Sequence, residues 1–120
     1  HNIVCSPDSA DVFNQKVIQA TMGSFIRINI FYAAAEGFLS RLPKEFPVMG
    51  AMLEGEKLSK VNLPNEGIHV IGNESKGISA ETRQYISHKL FIPRRNINQN
   101  HPESLNASVA TAIILARISQ

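Results

Sequence analysis

The chain has 120 residues, 43% of them hydrophobic and 18% charged, with a net charge of +2 and a single cysteine. That much apolar material argues for one buried core and against disorder, and so mild a basic excess neither requires nor forbids a polyanionic partner. The lone thiol of Cys5 excludes an intrachain disulfide and a thiolate metal cluster, and no apolar run approaches the ~20 residues of a membrane span.

Asp8 and Asp11 interrupt the stretch in which a signal peptide would carry its apolar region. The expectation is a single soluble domain over residues 1–120, in a reducing, cytoplasmic setting, with no membrane and no metal partner.

In chain order, Ile3-Val4-Cys5 reads as a strand, followed by the turn Ser6-Pro7-Asp8-Ser9. Phe13, Val17, Ala20, Ile18 and Met22 have helical spacing, so a helix is predicted from Asn14 to Met22, capped by Asn14 or Asp11 and closed by Gly23. Ile26, Ile28 and Ile30 alternate with Arg27 and Asn29, the signature of a strand. Ala33 to Leu42 reads as a helix stopped by Pro43. Val48 to Leu53 reads as a strand in which Gly50 permits close backbone approach.

Ile68 to Ile71 has the composition of a buried strand, and Ser79 is placed to cap a helix from Ala80 to Ile86. Leu90-Phe91-Ile92 is a short strand ended by Pro93. A polar loop then runs from Arg94 to Glu103, and a long helix from Ser104 to Ser119. The order β-α-β-α-β-β-α-β-α predicts a mostly parallel α/β sheet flanked by helices.

Two segments carry chemistry. Gly72-Asn73-Glu74-Ser75-Lys76-Gly77 follows a strand but is not a P-loop, because Ile78 stands where the lysine after the second glycine is needed. No dinucleotide G-x-G-x-x-G is present either. Glu74, near a helix start, can serve a loop's free N–H groups or simply be a solvated acid. Ser104-Leu105-Asn106-Ala107-Ser108 opens the last helix. Ser104 is an N-cap by type, whereas Asn106 in a first turn is a poor helix former whose amide is expected to bond outside the helix. Both segments fall where open α/β sheets bind ligands. His1, His69, His88 and His101 have no metal-ligand spacing, and His69 is expected to be a packed histidine.

Taken together, GNESKGIS, then Ile92-Pro93, then SLNASVA resemble motifs 2 and 3 of the SpoU (TrmH-type) RNA ribose methyltransferases of the SPOUT class. Asp11 to Lys16, Ala20 to Ser24 and Val48 to Gly55 are similar to that family in position and type, so the resemblance spans nearly the whole chain. It implies an α/β fold with a C-terminal deep trefoil knot, a homodimer formed through the knot helices, and transfer of a methyl group from S-adenosyl-L-methionine to a ribose 2′-hydroxyl of rRNA or tRNA.

Carried onto this sequence, the resemblance places the cofactor against Gly50, Ala51 and Met52, against Gly72, Asn73 and Glu74, and against Ile92, Ser104, Leu105 and Asn106. Glu74, Ser104 and Asn106 stand nearest the reacting end as catalytic residues. Lys16, Arg94 and Arg95 are the RNA-binding candidates.

The sequence departs from the family's pattern in four places. The asparagine–arginine motif 1 is absent, so the chain reads as a fragment lacking the first strand and helix and inactive alone. Gln19 stands for a usual arginine, Arg94 for a methionine after Ile-Pro, and the loop from Arg94 to Glu103 is longer than usual. The alternative is a non-catalytic RNA-binding or assembly module of the same knotted fold.

Overall fold

The computed structural model describes residues 2–93 and 105–119. Two compact units divide the chain, His1–Leu42 and Pro43–Gln120.

The first unit is built on two parallel strands, β1 (Asn2–Cys5) and β2 (Asn29–Tyr32), with Asn2 opposite Asn29 and Cys5 opposite Tyr32. The connection carries helix α1 (Gln15–Thr21), whose N-cap Asn14 accepts a side-chain hydrogen bond from Lys16 N–H. Asp11 instead forms its own turn, accepting from Phe13 N–H at 2.7 Å. The helix ends through Met22, a left-handed non-glycine residue at φ 49°, followed by Gly23 at φ 77°.

The alternating isoleucines mislead at their first member. Ser24–Arg27 is a 3-10 turn, Ile26 is exposed, and β2 begins only at Asn29. Consecutive hydrogen bonds such as Ile26 N–H to Gly23 O take the backbone that a strand would need. Helix α2 (Ala35–Leu39) is shorter than the predicted 33–42. Arg41 and Leu42 continue only as turns, with N–H groups bonded three residues back.

The second unit is a three-stranded parallel sheet in the order β4-β3-β5, made of β3 (Val48–Lys57), β4 (Ile68–Val70) and β5 (His88–Phe91). Helix α3 (Ala80–Arg83) links β4 to β5, and α4 (Ala107–Ile118) closes the described chain. Ser79 caps α3 as expected, accepting from Thr82 N–H at 3.1 Å, but α-helical bonding stops at Arg83 and residues to Ile86 run on as tighter turns.

Met49, Leu58, Val61, Leu90 and Ile114 form the core of this unit, with Ile71, Ile92 and Ile118 packed against it. On α4, Ala110 and Ile114 lie one turn apart and face inward, and both are buried. At Gly50 a Cβ would meet a side chain and not backbone, lying 2.5 Å from Ile86 Cδ1, which would have to shift.

Candidate functional site

All three strands of the second sheet run the same way, so their carboxyl ends share one edge, where the chain forms a cavity of about 880 Å³. Four pieces of chain wall it.

The first is a bulge in β3. Ala51 and Glu56 both stand opposite Leu90 of β5, so the residues between them are displaced from the ladder. Met52, Leu53 and Glu54 thereby turn onto the cavity. Gly55 seats the bulge, since a Cβ there would lie 2.5 Å from the Lys89 carbonyl oxygen.

The second piece is the loop after β4, which closes on itself. Asn73 N–H donates to Gly77 O at 3.0 Å and Gly77 N–H donates to Asn73 O at 2.8 Å. Within this ring the Asn73 carboxamide oxygen accepts from Ser75 N–H at 2.9 Å and Lys76 N–H at 3.1 Å. Gly77 is left-handed at φ 67°, and a Cβ on Gly72 would lie 2.6 Å from Ile78 N. Asparagine and both glycines are therefore demanded by backbone geometry, and Glu74 is carried on the tip of a tight ring along the cavity wall.

The end of β5 supplies the third piece, Leu90, Phe91 and Ile92. The fourth is the start of α4, with Leu105, Ala107 and Ala110. The small residues of α4 thus leave room for the cavity as well as allowing close packing.

Glu54 on the bulge takes part in two ion pairs. Arg83, at the end of α3, donates from Nε to the Ile78 carbonyl at 2.9 Å and places Nη1 3.7 Å from Glu54 Oε1. Lys89 approaches the same Glu54 oxygen at 3.8 Å. Both ion pairs are largely exposed, so solvent screens them and their role is geometric more than energetic.

His69, opposite Met49 in the sheet, has a buried Nδ1 with no hydrogen-bond partner among the described residues. Desolvation pushes its pKa below the usual 6.5. Among the described residues no group of three or more His, Cys, Asp or Glu is placed to hold a metal ion, and no helix is long and apolar enough to cross a membrane.

Of the residues expected at a cofactor site, Ala51, Met52, Gly72, Asn73, Glu74, Ile92 and Leu105 all line this one cavity. Gly50 does not; it lies beneath Ile86. Asn106 does not line it either, and the reading of its amide is corrected. It is the N-cap of α4, its Oδ1 accepting from Ser108 N–H at 3.0 Å and from the Ser108 hydroxyl. Its place before the helix gives the asparagine a local reason that a first-turn position lacks.

Ser104, Arg94 and Arg95 lie outside the described residues. Lys16 is an exposed residue of α1 in the first unit. Sequence reading missed Leu53, Glu54, Ile78, Arg83, Leu90, Ala107 and Ala110. Gly55 was the available signal for the first two, as a glycine inside a strand marks a bulge.

The carboxyl edge of a parallel sheet, where this cavity lies, is the edge at which open α/β proteins bind ligands. The chain belongs to the SpoU rRNA Methylase family, whose sequence model matches residues 1–116. Among solved structures it is similar to a TrmH-family protein from Porphyromonas gingivalis, with 36% identity and a TM-score of 0.86 over 98% of this chain and 47% of that one. It is also similar to an AdoMet-bound rRNA methyltransferase from Sinorhizobium meliloti, with 25% identity and a TM-score of 0.83 over 98% and 44%. An RNA 2′-O ribose methyltransferase shares the fold at 19% identity, with a TM-score of 0.81 over 98% and 45%. The chain spans less than half the length of each of these structures. Among curated proteins no match was found.

Proposed function

We propose that this chain is the cofactor-binding part of an RNA methyltransferase that uses S-adenosyl-L-methionine to methylate a ribose 2′-hydroxyl of rRNA or tRNA. One observation carries the reading. Ala51-Met52, Gly72 to Glu74, Ile92 and Leu105, separated in sequence, come together on one cavity in a chain matched by the SpoU family over residues 1–116.

The residues fit such a cofactor. A cavity of about 880 Å³ is within the range usual for small-molecule sites. Ile71, Ile92, Leu105 and Ala110 offer apolar surface to an adenine, and the backbone groups near Ile92 and Leu105 are assigned to hold it. When bound, the cofactor supplies an electrophilic methyl group on a sulfonium. Chain residues must then hold the acceptor hydroxyl in line and take up its proton. Glu74, on the wall, is the acidic group assigned to the reacting end, with Ser104 as its polar companion. Asn106 acts by fixing the start of α4 and hence the position of Leu105 and Ala107. Arg94, Arg95 and Lys16 are assigned to RNA phosphate.

The family resemblance also supports a homodimer, a C-terminal knot and a cytoplasmic location.

The test is calorimetric titration of the chain with S-adenosylhomocysteine, followed by methyl-transfer assays on the whole protein. Saturable one-to-one binding that is weakened by Glu74→Gln supports the reading. Absence of binding by the folded chain and by the whole protein refutes it and leaves the non-catalytic module.

A further inference from the structure

We infer that Arg83 is a positioning residue that ties together the two ledges of the cavity, the ring of residues 72–78 and the β3 bulge. The inference rests on the cofactor reading above and adds a residue that the motif resemblance does not include.

Three observations meet at this side chain. Its Nε–H donates to the carbonyl of Ile78, the residue that follows the ring-closing Gly77, at 2.9 Å. Its Nη1 lies 3.7 Å from Glu54 Oε1, on the bulge. Its own backbone N–H is bonded to Ser79 O, so the guanidinium extends from the short helix that directly follows the ring. Glu54 is gripped from the other side by Lys89 of β5, at 3.8 Å. The loop after β4, the bulge of β3 and the strand β5 are thereby joined through one carboxylate, one guanidinium and one ammonium.

Arginine suits the task because its planar fork serves two acceptors at once in fixed directions, which a lysine ammonium does not. The ring needs such a tie. Its internal bonds hold its shape, and the Arg83 guanidinium links it to the bulge of β3. A wall able to swing away would bind ligand with the added cost of ordering it.

The experiment compares the wild-type chain with Arg83→Met and Arg83→Lys, using Glu54→Gln as a second route to the same tie. Three quantities are read: affinity for S-adenosylhomocysteine and for 5′-methylthioadenosine, amide exchange of residues 72–78, and the thermal midpoint. Arg83→Met is expected to weaken both ligands about tenfold and to speed exchange in residues 72–78, with the midpoint nearly unchanged. Arg83→Lys restores little. Glu54→Gln gives a smaller effect in the same direction, because its pair with Arg83 is exposed.

Unchanged exchange and affinity in Arg83→Met overturn the inference. Weakening confined to S-adenosylhomocysteine also overturns it, since the arginine would then touch the ligand's amino-acid end. If neither the wild-type chain nor the whole protein binds either ligand, the cofactor reading fails instead, and the exchange measurement still decides the tie.

Discussion

Gly72→Ala is the sharpest test of how the cavity wall is made. A Cβ at this position would lie 2.6 Å from Ile78 N and 2.8 Å from Gly77 O, against an ordinary contact of 3.4–4 Å. Both obstacles are backbone, as is the still nearer Gly77 carbonyl carbon, so no side chain can rotate away, and the two sides of the ring must separate by at least about 0.8 Å (3.4 less 2.6). The ring is closed by only two backbone bonds, Asn73 to Gly77 and back, at 3.0 and 2.8 Å. Losing both costs about 1–3 kcal/mol at ~0.5–1.5 kcal/mol each.

If the ring must be intact for ligand to bind, that energy becomes a loss of about 5- to 150-fold in affinity for S-adenosylhomocysteine. Calorimetry measures the loss, and amide exchange at Asn73 and Gly77 reports the ring directly. The sheet core around Met49 and Leu90 is not touched, so most of the unfolding free energy should remain. Wild-type exchange rates at those two amides, with affinity within twofold of wild type, would refute the argument that the ring's closure requires a glycine.

Asn106→Ala removes the N-cap of α4 and should cost about 1 kcal/mol in urea unfolding. Asn106→Ser keeps a capping oxygen, so recovery of stability and of ligand affinity together would show that the cap is the residue's contribution, while recovery of stability alone would show that the carboxamide serves the ligand. His69 is held neutral by burial, its folded pKa lying below 6.5. Stability should be level above that pH and fall as pH drops from 6.5 towards the lower folded value, because the unfolded chain takes the proton first. A urea series at pH 5 and pH 7.5 checks this, and His69→Leu should remove that component of the slope. Ile3, Val4 and Phe31 on the two-stranded sheet, and Val109, Ile113 and Leu115 on α4, are exposed apolar residues. Self-association is therefore expected, and a monodisperse monomer in sedimentation equilibrium at micromolar concentration would contradict it.

Local rules determined a good deal from sequence alone. Asn14 and Ser79 are caps by type and serve as caps, because a short side-chain acceptor beside a helix start needs only its own backbone. The β-α order, the parallel sheet and the glycine-bounded loop at residues 72–77 were also legible, since strand runs and turn residues announce themselves over a few positions.

Where two local signals competed, sequence alone did not choose. Ile26 satisfied a strand's alternation yet lies in a 3-10 turn, and Asn106 caps the last helix two residues later than Ser104 suggested. Tertiary structure decided what no window of sequence contains. Glu54 reaches the cavity because β3 bulges against Leu90, and Arg83 reaches the same cavity from a helix of four residues. Bulge register and the direction of a long side chain depend on which strand lies alongside, and that neighbour is supplied by residues more than thirty positions away.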